Sequence, residues 1–207
     1  MKTIRKHFTR RRFLATLGLA GFGGVSGVGY AGLVEPQWLQ VGRYEVSLSG
    51  VTTRPPLKIL HLSDLHASPV VSLKFISEAI QLGLKEKPDV ICLTGDFITH
   101  QYDAFDEYQE VLKPLAASAP TFACLGNHDG GMWAAGRGGY GDTSRVRDLL
   151  AGSGVKLLHN ATERVRLNDR DLTLVGLGGY LGKGYSAIDG LSGSCTRGGH
   201  NNRRVVT

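Results

Sequence analysis

The chain has 207 residues, 42% of them hydrophobic and 20% charged, and a formal net charge of +6. Six of its 24 Lys and Arg lie in residues 1–31, which hold no acid, so the rest of the chain carries 18 basic against 18 acidic residues. The basic excess is a property of one terminal segment, and no case for nucleic-acid binding follows from it. Three cysteines without a Cys-x-x-Cys pair give no basis for a disulfide scaffold or a thiolate metal site.

The amino-terminal segment reads as a targeting element. Thr9-Arg10-Arg11-Arg12-Phe13-Leu14 resembles the twin-arginine export motif, followed by an apolar but glycine- and alanine-rich run from Phe13 to Ala31. Nineteen residues can just span a bilayer, so residues 13–31 serve either as a cleaved signal or as a retained anchor. The expected partner is the twin-arginine export machinery. The expected location is periplasmic or otherwise extracytoplasmic, with membrane association if the anchor stays. The expected organisation is residues 1–31 as signal or anchor, 32–178 as one α/β domain, and 179–207 as a glycine-rich irregular tail.

Within the domain the elements alternate. Tyr44 to Leu48 alternates as an opening strand, and Lys58-Ile59-Leu60-His61-Leu62 reads as the next, with His61 a packed core histidine. Ser72 opens a helix with Leu73, Ile76, Ile80 and Leu84 on one face, ended by Pro88. After the strand Val90–Thr94, a second helix covers Asp106 to Leu115, with Pro114 as its terminator. The strand Thr121–Leu125 leads into Gly130–Tyr140, a glycine-rich stretch that is either a substrate-side lid or an ordinary surface loop. A third helix covers Thr143 to Ala151, capped by Gly152 and Gly154. Strands at 155–159, 163–167 and 172–178 follow with no helix between, as in the antiparallel part of a mixed sheet. Cys92 and Cys124 fall on strands as small core residues.

Three short motifs stand at the ends of three of these strands: Ser63-Asp64-Leu65-His66, Gly95-Asp96 and Gly126-Asn127-His128-Asp129. Asp64 to Asp96 is 32 positions and Asp96 to Asn127 is 31, about one βα unit each. Parallel strands would bring all three to one sheet edge. Carboxylate, amide and imidazole donors gathered there describe a divalent metal site. Asp64 and His66, two apart in an extended segment, share a side, while a carboxylate such as Asp96, lying between two ligand sets, suits a bridge between two cations. His128 can protonate a departing alkoxide, with Asp129 holding its ring in the required tautomer. His100 reads as a residue of a solvated loop.

This ordered trio, each part after a strand, resembles the calcineurin-like metallophosphoesterase superfamily over roughly positions 57–180. The resemblance implies a mixed-sheet α/β sandwich with ligands at strand C-terminal ends and two divalent metal ions, with Mn, Fe, Zn and Mg all admissible. Asp64 and His66 would bind one ion, Asp96 would bridge, and Asn127 would bind the other. His128 would act as leaving-group acid or phosphate contact, backed by Asp129. The implied activity is hydrolysis of a phosphomonoester or phosphodiester, with a lipid-linked pyrophosphate of the envelope among the candidates.

The chain departs from the family pattern downstream. A later histidine and a final Gly-His-x-His are expected, yet only His159 and His200 follow His128, each alone. The tail, with Gly179, Gly182, Gly184, Gly190, Gly193, Gly198 and Gly199, resembles the out-of-frame end of a truncated reading frame. Two alternatives therefore stand beside the hydrolase: an inactive metallophosphoesterase remnant, or an envelope protein that binds phosphate-bearing ligands without turnover.

Overall fold

The computed structural model describes residues 38–46 and 55–178, together with the backbone of 205–206. The segment expected to be a signal or anchor, His200 and most of the glycine-rich tail lie outside the described residues. The chain divides between Gly42 and Arg43 into two units. Residues 38–46 contain no strand, and the end of the expected Tyr44–Leu48 strand lies outside the described residues. Every strand and helix named below belongs to the second unit. Among the described residues no helix is long and apolar enough to cross a membrane.

Two βα units and a third strand come first: β1 (Ile59–Ser63), α1 (Leu73–Leu84), β2 (Val90–Thr94), α2 (Phe105–Ser118) and β3 (Thr121–Cys124). A short helix α3 (Met132–Ala135) and α4 (Ser144–Gly152) then lead to β4 (Lys156–Leu157). The four strands make one parallel sheet in the order β1-β2-β3-β4. Its register pairs Ser63 with Thr94 and Thr94 with Cys124, so the three first strands end level with one another.

Monotonic strand order has a consequence for the layers. Right-handed crossovers that always advance in one direction place every helix on the same face. Ile76 and Ile80 of α1, Tyr108, Leu112 and Leu115 of α2, and Val146, Leu149 and Leu150 of α4 accordingly share one core with Ile91, Leu93 and Ala123. Ser72 caps α1 by accepting from the Phe75 N–H at 3.2 Å. Gly83 lets α1 lie close on β1, because a Cβ there would stand 2.8 Å from Leu60 Cδ1.

The opposite sheet face is covered by a second sheet of β5 (Ala161–Leu167), β6 (Arg170–Gly176) and the two-residue β7 (Val205–Val206). β5 and β6 are an antiparallel hairpin, and β7 pairs parallel to β6. Leu174 packs with Val90, Phe122 and Leu158, and Val165 and Leu167 join them. The mixed α/β sandwich expected from the sequence is present. One detail differs: residues 156–157 are a parallel edge strand of the first sheet, and only the following hairpin is antiparallel. The turn at α4's end returns the chain beside β3, where Leu158 N–H donates to the Ala123 carbonyl at 2.7 Å.

Two further expectations are corrected. His61 is exposed, on the sheet face away from the helices, with Nε2 2.6 Å from Thr94 Oγ1. Strand alternation put it opposite Leu60 and Leu62, and the second sheet packs over β2 and β3 without covering it. Pro114 does not end α2, which continues to Ser118. Leu112 and Leu115 are fully buried on either side of it, and their burial outweighs the one backbone bond that proline removes.

Pro114→Ala would restore an N–H to that helix and remove a penalty of up to about 3 kcal/mol. Against this, the unfolded chain regains freedom worth about 0.4–1 kcal/mol. The variant should be more stable by about 1–2 kcal/mol, raising Tm by roughly 3–6 °C in thermal unfolding. An unchanged or lowered Tm would show that the helix bends around Pro114 at no cost.

Candidate metal centre

The three motifs meet at the C-terminal edge of the parallel sheet. β1 runs directly into Asp64 and β2 into Gly95-Asp96, while β3 reaches Gly126 two residues past Cys124. The loops are stitched to each other: Asp64 N–H donates to the Gly95 carbonyl, His66 N–H to Asp96 at 2.8 Å, and Ala67 N–H to Phe97 at 2.9 Å. Asp64, His66 and Asp96 all hold left-handed backbone, with φ of 55°, 46° and 52°. Such conformations cost of order 1–3 kcal/mol each in non-glycine residues and persist where surrounding bonds enforce them. Gly95 and Gly126 permit the loops to touch. A Cβ on Gly95 would stand 2.7 Å from Gly126 Cα, and one on Gly126 would collide with Asp96 Oδ1.

The side chains converge in part as expected. His66, Asp96 and His128 each present a ligand atom, all within 4.8 Å of one another. Asp96 Oδ2 is 3.8 Å from His66 Nε2, and Asp64 Oδ1 is 3.9 Å from the same nitrogen on the open side. Asp64 is 62% exposed against 14% for Asp96, so Asp64 forms the rim and Asp96 the floor. Asp96 Oδ1 accepts the His128 backbone N–H at 2.9 Å, which leaves Oδ2 directed at the cluster. Asn127 is half-buried between Gly126 and His128 on the same loop. His100 is exposed, its ring 6.5 Å from that of His128.

The residue that sequence reasoning missed is Thr99. Its hydroxyl donates to the His66 carbonyl at 3.1 Å, and the same oxygen lies 3.3 Å from His66 Nδ1. With its one proton spent, the hydroxyl can only accept at Nδ1, so His66 carries its proton there and its lone pair on Nε2. The Thr99 carbonyl lies 2.8 Å from His128 Nδ1 and can only accept, which fixes the same tautomer in the second ring. Both imidazoles thus keep Nε2 free for a cation, substrate or proton. Nothing in a lone threonine three residues past Asp96 signals this, because the contacts depend on how the loops fold.

Asp129 requires a correction. It was expected to orient the His128 ring, yet its carboxylate is fully buried and accepts from three backbone N–H groups. These are Asp96 at 2.9 Å, Phe97 at 2.6 Å and Gly126 at 2.8 Å. Burial raises its pKa to about 6, against the opposing pull of those donors. Asp129 therefore builds the loops, and the ring of His128 is oriented by Thr99.

The glycine-rich stretch is folded over one side. Trp133 of α3 stacks edge-to-face on His128 with ring centroids 4.6 Å apart. The stretch is closed by Gly131 N–H to the Tyr140 carbonyl at 3.0 Å, and tied to the β2 loop by Gln101 N–H to the Gly138 carbonyl at 3.1 Å. Cys92 and Cys124 are half-buried free thiols whose pKa values burial pushes up, so they supply no nucleophile.

Imidazole Nε2 atoms beside two carboxylates make a mixed N/O donor set suited to Mn, Fe, Zn or Mg ions. The spacing of His66, Asp96 and His128 fits a divalent cation, with Asp64 beside His66 at the rim. The calcineurin-like phosphoesterase family model matches residues 57–197, and the chain belongs to that family. Members of this family bind divalent metals. The chain is similar to phosphodiesterase YaeI of Escherichia coli, with 38% identity over 171 residues that cover 82% of this chain and 60% of that one. It is 29% identical over 172 residues to the uncharacterized metallophosphoesterase YkuE of Bacillus subtilis, covering 79% and 57%. UDP-2,3-diacylglucosamine pyrophosphatase LpxG of Chlamydia trachomatis is 33% identical over 105 residues, covering 48% and 31%. The chain thus spans about 60% of the length of the first two relatives.

Thr99→Val keeps the backbone contact to His128 and removes only the partner of His66. Loss of a residue that orients a metal-ligating histidine typically costs about 10–100-fold in affinity. Titration calorimetry with Mn²⁺ should show a loss in that range for Thr99→Val and near-native binding for Thr99→Ser. Equal affinities for Thr99→Val and the native protein would remove the hydroxyl from the site.

Proposed function

We propose that this protein hydrolyses a phosphodiester at a centre of two divalent ions. The observation that carries this reading is the convergence of His66, Asp96 and His128 on strained loops at one sheet edge. A phosphodiester is favoured over a monoester by the similarity to YaeI, which bears the name phosphodiesterase. The pyrophosphatase name of LpxG, with its diacylglucosamine nucleotide, supports a lipid-linked pyrophosphate as the physiological variant.

In this mechanism Asp64, His66, Asp96 and Asn127 would be the residues that hold the ions, with Asp64 and His66 toward one, Asn127 toward the other and Asp96 shared. When bound, the ions supply Lewis-acid polarisation of the phosphoryl group and a lowered pKa for attacking water. The chain's own residues do the rest. Asp96 keeps Oδ2 on the cluster because Oδ1 is held by the His128 N–H. His128, with Nδ1–H given to the Thr99 carbonyl, presents Nε2 to the substrate, where a proton can pass to the departing alkoxide. Trp133 covers one side of that ring and limits water access to it.

Asp96→Asn should lose at least the roughly 10²–10³-fold that removal of one transition-state electrostatic contact costs. It should also hold less metal than Asp64→Asn, because the two ions would share no anion. The assay is hydrolysis of bis-p-nitrophenyl phosphate by the Mn²⁺-loaded protein, with metal content read by elemental analysis. Full activity in Asp96→Asn would refute the bridging role. Phosphate binding without turnover in the native protein would assign it to the ligand-binding class instead.

We further propose export by the twin-arginine route, which carries proteins already folded and thus with the metal site loaded. Replacing Arg10 and Arg11 by Lys should leave the protein in the cytoplasm. Cell fractionation that still finds the variant exported would overturn this assignment.

A further inference from the structure

We infer that Arg137 is a substrate-binding residue that holds a second phosphoryl group beside the one being cleaved. This deepens the hydrolytic reading above, since it names the substrate class as a diester with two linked phosphates. The guanidinium lies on the ring of Trp133, with Cζ 4.0 Å from the ring centroid, and Nη1 is 3.5 Å from the Trp133 carbonyl. Trp133 in turn stacks on His128 at 4.6 Å. The two contacts keep the guanidinium carbon within about 9 Å of the His128 ring, near enough for a neighbouring phosphate to reach both.

Arg137 is exposed, and among the described residues no carboxylate pairs with it. Arg43 and Arg166, by contrast, face Glu86 and Asp169. Among the described residues its side chain meets only Trp133, which leaves its outward N–H groups open. A planar guanidinium in that state binds phosphate oxygens in a bidentate fork, which a lysine does not reproduce. The loop that bears it is not free to drift. Gly139 N–H donates to the Ala134 carbonyl at 2.8 Å, and the Tyr140 hydroxyl donates to the Tyr102 carbonyl at 2.6 Å. A cation thus stands over the tryptophan that stacks on His128.

The test compares binding of inorganic phosphate and of methylenediphosphonate, which cannot be hydrolysed, to the Mn²⁺-loaded protein by titration calorimetry. The native protein should bind the diphosphonate more tightly. Arg137→Gln should weaken diphosphonate binding about tenfold and phosphate binding less than twofold, with Arg137→Lys between native and Gln. Mn²⁺ affinity should be the same in all three. Equal weakening of both ligands, no weakening of either, or a native protein without preference for the diphosphonate would each overturn the assignment. The readout is independent of turnover: absent hydrolysis of bis-p-nitrophenyl phosphate with the Arg137 difference intact would sink only the hydrolytic reading.

Discussion

The site depends on one buried carboxylate. Asp129 accepts three backbone N–H groups, two from the loop after β2 and one from the loop after β3. Charge-assisted bonds of this kind are about twice as strong as neutral ones, and each is removed from competing water. They hold Asp96 in left-handed backbone and bring Gly95 against Gly126. The first loop then follows, because His66 and Ala67 hydrogen-bond to Asp96 and Phe97 in turn. Local strain at three residues is thus offset by a clamp in which only Asp96 takes part, through its backbone N–H.

The fold explains why such a clamp can form there. Strands β1, β2 and β3 are adjacent, parallel and level at their ends, so their loops leave the sheet side by side. Helices α1, α2 and α4 pack on one face, and only the short α3 reaches the strand ends, through Trp133 on His128. Apolar burial therefore holds the strands, while polar backbone bonds shape the loops. The division is visible in the side chains: Leu93 and Ala123 are buried within the strands, and the donors begin directly beyond them.

What was legible in the sequence follows the same division. Strand runs, their spacing and the donor residues at their ends could be read, because period-2 apolar patterning and turn glycines are local signals. The hydrogen-bond assignments could not. Asp129 and His128 are neighbours in sequence, which suggested a pair, but adjacent side chains in this turn point apart, and Asp129 turns inward to the N–H groups. Thr99 was invisible for the complementary reason: its two partners come from loops 33 and 29 residues away. Pro114 was misread because helix propensity is local whereas the burial of Leu112 and Leu115 is tertiary. His61 was misread because alternation tells which face a residue takes but not what covers that face.

Thr99 also sets how the two histidines relate. One residue's hydroxyl meets His66 and its carbonyl meets His128, whose rings stand edge-to-face at 4.7 Å. Thr99 is itself held by its N–H on the Ala67 carbonyl at 3.3 Å, two residues after the β2 loop receives the Asp129 clamp at Phe97. Displacing that loop would therefore disturb both imidazoles together, along with the Asp96 carboxylate. A centre built this way has its donors on three different strands' loops but one mechanical support. The rim is less supported, since Asp64 is exposed and only one of its oxygens faces His66. The floor at Asp96 is held by backbone bonds to the loop after β3, while the rim at Asp64 stands open to solvent, so the donors best fixed for a bound cation are the ones that the Asp129 clamp supports.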